Sequence, residues 1–224
     1  MGNLFAILLA GFVVSTAAQA RDSDIKFDGV QENCVKAGNI KFGAASRWSE
    51  CTVTKGRWFA TLDFMDMYQA QYCLGKGGGE CEQRALLVFS NRAYTPLAKL
   101  MLTRIDSGQA QYEDPLLVQT KFGNILTLRA NLPDGSSSMS YYRWQKGRWM
   151  PLEARSWLAD LSRQLPKGAK IKGTNWPDAD SMSAQVALGN TSGDAANGKL
   201  AEVRLALVKD RFTIEKLTLV PTVD

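Results

Sequence analysis

The chain has 224 residues, a formal net charge of +5 and no histidine. The missing histidine excludes Ser-His-Asp and Cys-His catalysis and every histidine-ligated metal site. Hydrophobic residues make up 45% and charged residues 22%, which is typical of a folded protein with an apolar core. We predict a non-catalytic protein with no cofactor and no metal.

The N-terminal stretch predicts a secretory signal peptide. An apolar run from Leu4 to Val14 is followed by small residues that end in Ala18-Gln19-Ala20. This order is typical of a signal sequence with its A-x-A cleavage site. Cleavage after Ala20 would leave a periplasmic or secreted chain, residues 21–224, without a transmembrane span. A retained anchor is the alternative, but the run is shorter than the roughly 20 apolar residues that a span needs.

The four cysteines are Cys34, Cys51, Cys73 and Cys81. An even number behind a secretion signal predicts two disulfides. Three pairings are possible, and Cys34–Cys51 with Cys73–Cys81 closes two short local loops. A zinc site of four cysteines is the alternative, although the chain has no CxxC pair.

Strand patterns dominate the first part of the chain. Residues 61–72 fit either a strand or a helix, and their alternation favours a strand. Residues 84–90 and 97–105 are further strand candidates. Residues 116–120 and 125–130 predict a hairpin about Phe122-Gly123-Asn124.

The second part of the chain contains the one convincing helix, at residues 156–165. Ser156 is suited to the N-cap, and one apolar stripe follows: Trp157, Leu158, Leu161 and Leu165. Residues 132–138 predict a turn. Residues 201–220 predict a hairpin that turns at Lys209-Asp210 and has a bulge near Glu215-Lys216.

These elements predict a mainly β (α+β) fold, an antiparallel meander or a sandwich- or barrel-like sheet, with one helix at about 156–165 and stabilising disulfides. No βαβ alternation favours a parallel sheet. We expect one domain over residues 21–224. Two lobes that meet near residues 107–115 are the alternative.

The tetrapeptide Lys-Gly-Arg-Trp occurs twice, at 55–58 and at 146–149. In both places a glycine lies between strand-like stretches, which is typical of a tight hairpin. The residues that follow the two copies differ, so an internal repeat is not indicated. We interpret both copies as hairpin turns, with Trp144 and Trp149 stacked across the second.

The second copy lies in a strongly basic segment. Residues 143–172 contain eight cations and two acids, a net charge of +6 (8 minus 2), interleaved with aromatic residues. Cations attract phosphates and carboxylates, and aromatic faces stack on sugars. We therefore predict a binding surface within 141–172, and its candidate residues are Tyr141, Tyr142, Arg143, Trp144, Lys146, Arg148 and Trp149. The expected partners are an anionic glycan or lipid of the cell envelope, or an envelope protein, and not nucleic acid. The alternative is structural: the tryptophans belong to the core, and the cations form an ordinary solvated face.

Two other functions stay open at this point. The cysteine-closed loop 73–81, CLGKGGGEC, is suited to a protein-interaction or inhibitor module. A carboxylate-dependent hydrolase is the remaining chemistry. Its candidates are Asp63, Asp66, Glu113, Asp114, Asp178 and Asp180.

Overall fold

A computed structural model describes residues 50–75, 80–92, 99–173, 176–190 and 199–221. This part of the chain is mainly β, with antiparallel sheets and one helix, as the sequence predicts. The signal segment 1–20, Cys34 and its predicted pairing with Cys51 lie outside the described residues. The two-lobe alternative stays a prediction.

The first sheet is a four-stranded meander in chain order. Its strands are β1 (Glu50–Leu62), β2 (Met65–Gly75), β3 (Gln83–Arg92) and β4 (Lys99–Ser107). Residues 61–72 are therefore extended, as predicted, but a turn at Asp63-Phe64 divides them between two strands.

A disulfide joins Cys73 in β2 to Cys81 just before β3, with the two Cα atoms 5.1 Å apart. This confirms the predicted pairing. The next segment passes directly over this corner. A Cβ on Gly108 would lie 1.6 Å from the carbonyl oxygen of Cys81, so only glycine fits there.

The second sheet contains the predicted hairpins of the middle of the chain. Its strands are β5 (Gln111–Tyr112), β6 (Leu116–Thr120), β7 (Gly123–Asn131), β8 (Ser137–Gln145) and β9 (Arg148–Leu152). Both β5 and β6 pair with β7, which pairs in turn with β8, and β8 with β9. The predicted turn at 132–138 is confirmed, with Gly135 at φ +78°.

The helix α1 (Ser156–Gln164) leads into the third sheet. Its strands are β10 (Ala169–Ile171), β11 (Ser183–Asn190), β12 (Lys199–Val208) and β13 (Arg211–Pro221). The predicted terminal hairpin is confirmed in detail. Arg204 pairs with Lys216 and Leu205 with Ile214, so Glu215 is the extra residue of the predicted bulge.

The start of the helix differs from the prediction. Arg155 occupies the N-cap position without a side-chain cap, and Ser156 is the first helical residue. The Ser156 hydroxyl instead lies 2.9 Å from the Glu153 carbonyl and 2.7 Å from that of Phe212 in β13. The hydroxyl therefore docks the helix on the third sheet.

The second sheet is buried on both faces. On one face Leu126, Leu128 and Trp149 pack with Leu86 and Val88 of the first sheet. The other face packs against α1 and the third sheet in a larger cluster, whose members include Ile125, Tyr141, Leu152, Trp157, Leu161 and Phe212. Strand β7 therefore carries a continuous buried run, Ile125-Leu126-Thr127-Leu128, instead of an alternating pattern.

The buried side chain of Arg104 links the first two sheets. Arg104 of β4 is 7% exposed and donates from Nε to Oδ2 of Asp106 at 2.7 Å. Its Nη1 donates to the carbonyl oxygen of Leu128 at 2.9 Å and to Oγ of Ser140 at 3.2 Å, both in the second sheet. The guanidinium thus crosses the interface with its donors satisfied.

We predict that Arg104→Ala lowers the free energy of unfolding by about 3–5 kcal/mol, because Asp106 is left as a largely buried, unpaired charge. Urea denaturation measures the change. Arg129→Ala is the matched control, since its pairing with Glu113 is exposed and contributes about 1 kcal/mol or less. Equal losses in the two variants would contradict the inter-sheet role of Arg104.

Candidate functional site

The second Lys-Gly-Arg-Trp copy forms the predicted hairpin turn. Lys146 and Gly147 have φ values of +49° and +73°, and Gln145 pairs with Arg148 across them. Both central residues are left-handed, as a two-residue hairpin turn of this kind requires. No heavy atom lies within 4 Å of a Cβ built on Gly147, so the backbone angle alone favours glycine.

The predicted tryptophan pair is also present. Trp144 and Trp149 are cross-strand partners, with ring centroids 4.9 Å apart in an edge-to-face arrangement. Such pairs stabilise a hairpin beyond their buried area. Trp149 is only 6% exposed and belongs to the core between the first two sheets. The pair therefore fixes the hairpin on the body of the protein.

Two predicted binding residues pack towards the core: Tyr141 is buried and Tyr142 is half-buried. Tyr141 is 1% exposed, and its hydroxyl donates to the carbonyl oxygen of Pro177 at 2.5 Å. Tyr142 packs against the core between the first two sheets. Burial raises the pKa of both phenols, which therefore stay neutral. Tyr141 and Trp149 are therefore core residues, and half-buried Tyr142 packs beside Trp149.

Three of the seven predicted residues form a cationic tip: Arg143, Lys146 and Arg148. Lys146 and Arg148 are exposed and Arg143 is half-buried. Within the described ranges no carboxylate lies within ion-pair distance of these three side chains. With the Gln145 amide oxygen turned towards it, the Nε of Arg143 donates to that oxygen at 2.7 Å. We call Arg143, Lys146 and Arg148 the cationic tip.

The first Lys-Gly-Arg-Trp copy is not a turn, so this prediction was wrong. Lys55 and Gly56 lie within β1, where Gly56 pairs with Ala70. The chain continues because β2 offers a partner over the whole length of β1. The pairing of β1 with β2 shifts register at two places, after Val53 and after Trp58.

The cations of the first copy share one carboxylate partner, Asp114. The Nζ of Lys55 lies 2.6 Å from Oδ1 of Asp114, and Arg57 pairs with the other carboxylate oxygen. Gln69 also donates to Oδ1, at 2.6 Å. Burial alone would raise the pKa of Asp114, but hydrogen bonds from Lys55 and Gln69 and the charges of Lys55 and Arg57 outweigh it and lower the pKa.

Arg155 and Arg163 of the basic segment do not join the cationic tip. Arg155 lies over the Trp176 ring, 5.8 Å from its centroid, and Arg163 pairs with Asp160. Both lie in or beside α1, which begins beyond the far end of β9. At about 3.3 Å per residue, the five residues of β9 separate the two groups by roughly 15 Å. The predicted surface 141–172 is thus divided, and only its hairpin part forms a compact cationic surface.

A second hairpin tip lies beside the first. The β1–β2 turn consists of Asp63 and Phe64, with φ values of +48° and +60°. The indole Nε1 of Trp144 donates to Oδ2 of Asp63 at 2.5 Å, which joins the two tips. Phe64 is 93% exposed. The sequence predicts one strand over residues 61–72 and so does not reveal the exposure of Phe64. Asp63, a residue type that is favoured in turns, was the available signal.

Five of the six carboxylates that are candidates for hydrolysis have structural partners: Asp63, Asp66, Glu113, Asp114 and Asp178. Asp66 accepts a hydrogen bond from Thr61 at 2.7 Å, and Glu113 one from Asn131 at 3.0 Å. Asp178 accepts from the amide of Asp180 at 2.9 Å within its own turn. Among the side chains that the structure describes, no group of three or more Cys, Asp or Glu residues could hold a metal ion.

An open cavity of about 290 Å³ lies on the polar outer face of the third sheet, and its lining includes Ser183, Gln185, Glu202, Arg204, Lys216 and Thr218. Residues 76–79 of the cysteine-closed loop lie outside the described ranges. None of the described helices is long and apolar enough to cross a bilayer.

Comparison with known proteins gives no relative for this chain. No family model matches it, and neither the curated proteins nor the solved structures give a significant match. A functional proposal must therefore come from the residues themselves.

We predict that Asp114→Asn lowers the free energy of unfolding at neutral pH by up to about 1 kcal/mol, since the ion pairs are partly exposed. The folded-state pKa of Asp114 lies below the unfolded value of about 3.9, so its ionised form stabilises the fold above that pH. The stabilisation is lost as the pH falls through the folded pKa. Denaturation of both proteins at neutral and acidic pH should show the gap closing. A gap that widens towards low pH would contradict this assignment.

Proposed function

We propose that the protein is a non-catalytic periplasmic or secreted binding protein that contacts anionic polymers or lipids of the cell envelope through the cationic tip. The observation that carries the proposal is the contrast between the two Lys-Gly-Arg-Trp copies. In the first, Asp114 forms ion pairs with both cations, whereas in the second Lys146 and Arg148 face solvent and pair with none of the carboxylates that the structure describes.

The position of the cationic tip suits such contacts. Lys146 occupies the turn itself, so its ammonium group can reach a ligand without displacing other parts of the fold. The Trp144–Trp149 pair and the underlying core hold the hairpin rigid, which reduces the entropy lost on binding. Exposed cations of this kind give salt-dependent attraction to phosphate and carboxylate groups.

The test is a charge-removing triple variant, Arg143→Gln, Lys146→Asn and Arg148→Gln. Asparagine tolerates the left-handed angle at position 146 better than lysine, so lost binding will not reflect a weakened turn. The probes are phosphatidylglycerol-containing vesicles and a soluble uronic-acid polysaccharide. Each cation near an anionic surface contributes about 1 kcal/mol, so we expect the triple variant to bind the vesicles at least about tenfold more weakly. Binding of the wild-type protein should also weaken as salt is added.

The chain offers a matched control, Arg163→Gln, Lys209→Asn and Arg211→Gln, of which Arg163 lies in α1 and Arg211 pairs with Glu153. It removes the same charge from exposed positions, and Lys209 also has a left-handed angle, φ +58°, in a hairpin turn. That turn lies near Glu153, beyond the end of β9 opposite the cationic tip. The control should bind like the wild-type protein. Equal losses of vesicle binding in the two triple variants would show that net charge alone determines binding, and would contradict the proposed site.

A further inference from the structure

Phe64 is in an environment that folding alone does not explain. It is 93% exposed, so its ring contributes little to the core. Its backbone is left-handed at φ +60°, a conformation that glycine and asparagine adopt readily and a bulky residue adopts at a cost. A large apolar side chain at the end of a tight turn therefore destabilises the backbone there, and no burial in the folded protein offsets this cost.

The neighbours of Phe64 hold it in this position. Asp63 accepts the indole hydrogen bond of Trp144, and Leu62 packs against the core between the first two sheets. The ring thus projects from a rigid hairpin whose tip is tied to the β8–β9 hairpin. The cationic tip begins one residue before Trp144 and ends four residues after it.

We propose that the end of the molecule that carries Phe64 and the cationic tip docks on an anionic lipid surface, with the Phe64 ring inserted into the interfacial layer. The inference rests on the proposed function, because it uses the same cations and names their ligand. Exposed Lys146 and Arg148 would contact lipid phosphates. Half-buried Trp144 lies between the cations and Phe64, and its amphipathic ring suits the headgroup level.

The charges at this end indicate why an apolar group is needed. The two hairpin tips, residues 61–66 and 143–149, together carry three cations and two acids, a net charge of +1 (3 minus 2). Electrostatic attraction alone is therefore weak. Membrane association of a peripheral protein grows with both buried apolar area and attraction to anionic lipid. Insertion of Phe64 would supply the apolar part.

A lipid surface fits this arrangement better than an acidic glycan. A polysaccharide in water offers no apolar layer for a projecting ring, and sugar recognition commonly uses a ring face together with nearby hydrogen-bond donors. The ring of Phe64 protrudes at the end of a turn, and the indole donor of Trp144 is already used by Asp63.

The test compares Phe64→Gly with the wild-type protein, both in the same processed form. Asp-Gly is a preferred pair for this turn, so the midpoint of unfolding should rise, while vesicle binding should fall by about tenfold or more because the apolar anchor is lost. The probes are phosphatidylcholine vesicles with and without phosphatidylglycerol, and the soluble uronic-acid polysaccharide. Binding to the polysaccharide should not depend on Phe64.

A second variant, Phe64→Trp, reports insertion directly. Its added fluorescence, taken as the difference from the wild-type protein, should shift to shorter wavelength on phosphatidylglycerol vesicles and be quenched by brominated lipid.

The possible outcomes separate the two proposals. In one outcome, Phe64→Gly binds vesicles like the wild type while the triple variant of the cationic tip does not. That result would overturn the insertion of Phe64 into the lipid layer and leave the proposed function intact. If the triple variant also binds like the wild type, the proposed function fails. If Phe64→Gly instead loses a defined envelope protein and retains vesicle binding, Phe64 recognises protein and the lipid inference is overturned.

Discussion

The double burial of the second sheet is the constraint on which the rest of the structure depends. Its strands supply apolar side chains to the first sheet on one face and to the helix and third sheet on the other. Both faces are therefore closed to ligands. Arg104 stabilises the interface between the first two sheets by hydrogen bonds that cross it. The hairpin turns at the ends of the strands remain available for contact. This explains why the candidate site is built from two turns rather than from a cleft.

The two Lys-Gly-Arg-Trp copies demonstrate how context determines the role of a short motif. In β1 the strand continues because β2 pairs with it throughout, and Asp114 sits within reach of both cations. In the second copy the chain reverses at Lys146-Gly147, which leaves the charges at the end of a turn. The same motif therefore gives two cations that share a carboxylate in one place and solvent-facing cations in the other.

Much of the fold could be predicted from local patterns. Alternation and turn residues located the hairpins at 116–130 and 201–220, and a change of parity located the bulge at Glu215. The helix followed from its apolar stripe, but its N-cap did not, because Ser156 bonds to Phe212, which is distant in sequence. The site was predicted only in part. Tyr141 and Trp149 are buried through sheet stacking, and Phe64 depends on a turn that alternation concealed.

The most direct measurement of the central claim is covalent labelling of lysine side chains with and without phosphatidylglycerol vesicles. Lys146 and Lys209 are exposed lysines in left-handed turn positions, and they lie near opposite ends of the sheets. Their intrinsic reactivities should therefore be comparable. If the end that carries Phe64 and the cationic tip contacts the membrane, vesicles should slow the labelling of Lys146 several-fold and leave Lys209 unchanged. Equal labelling of both lysines, or protection of Lys209 alone, would contradict the account.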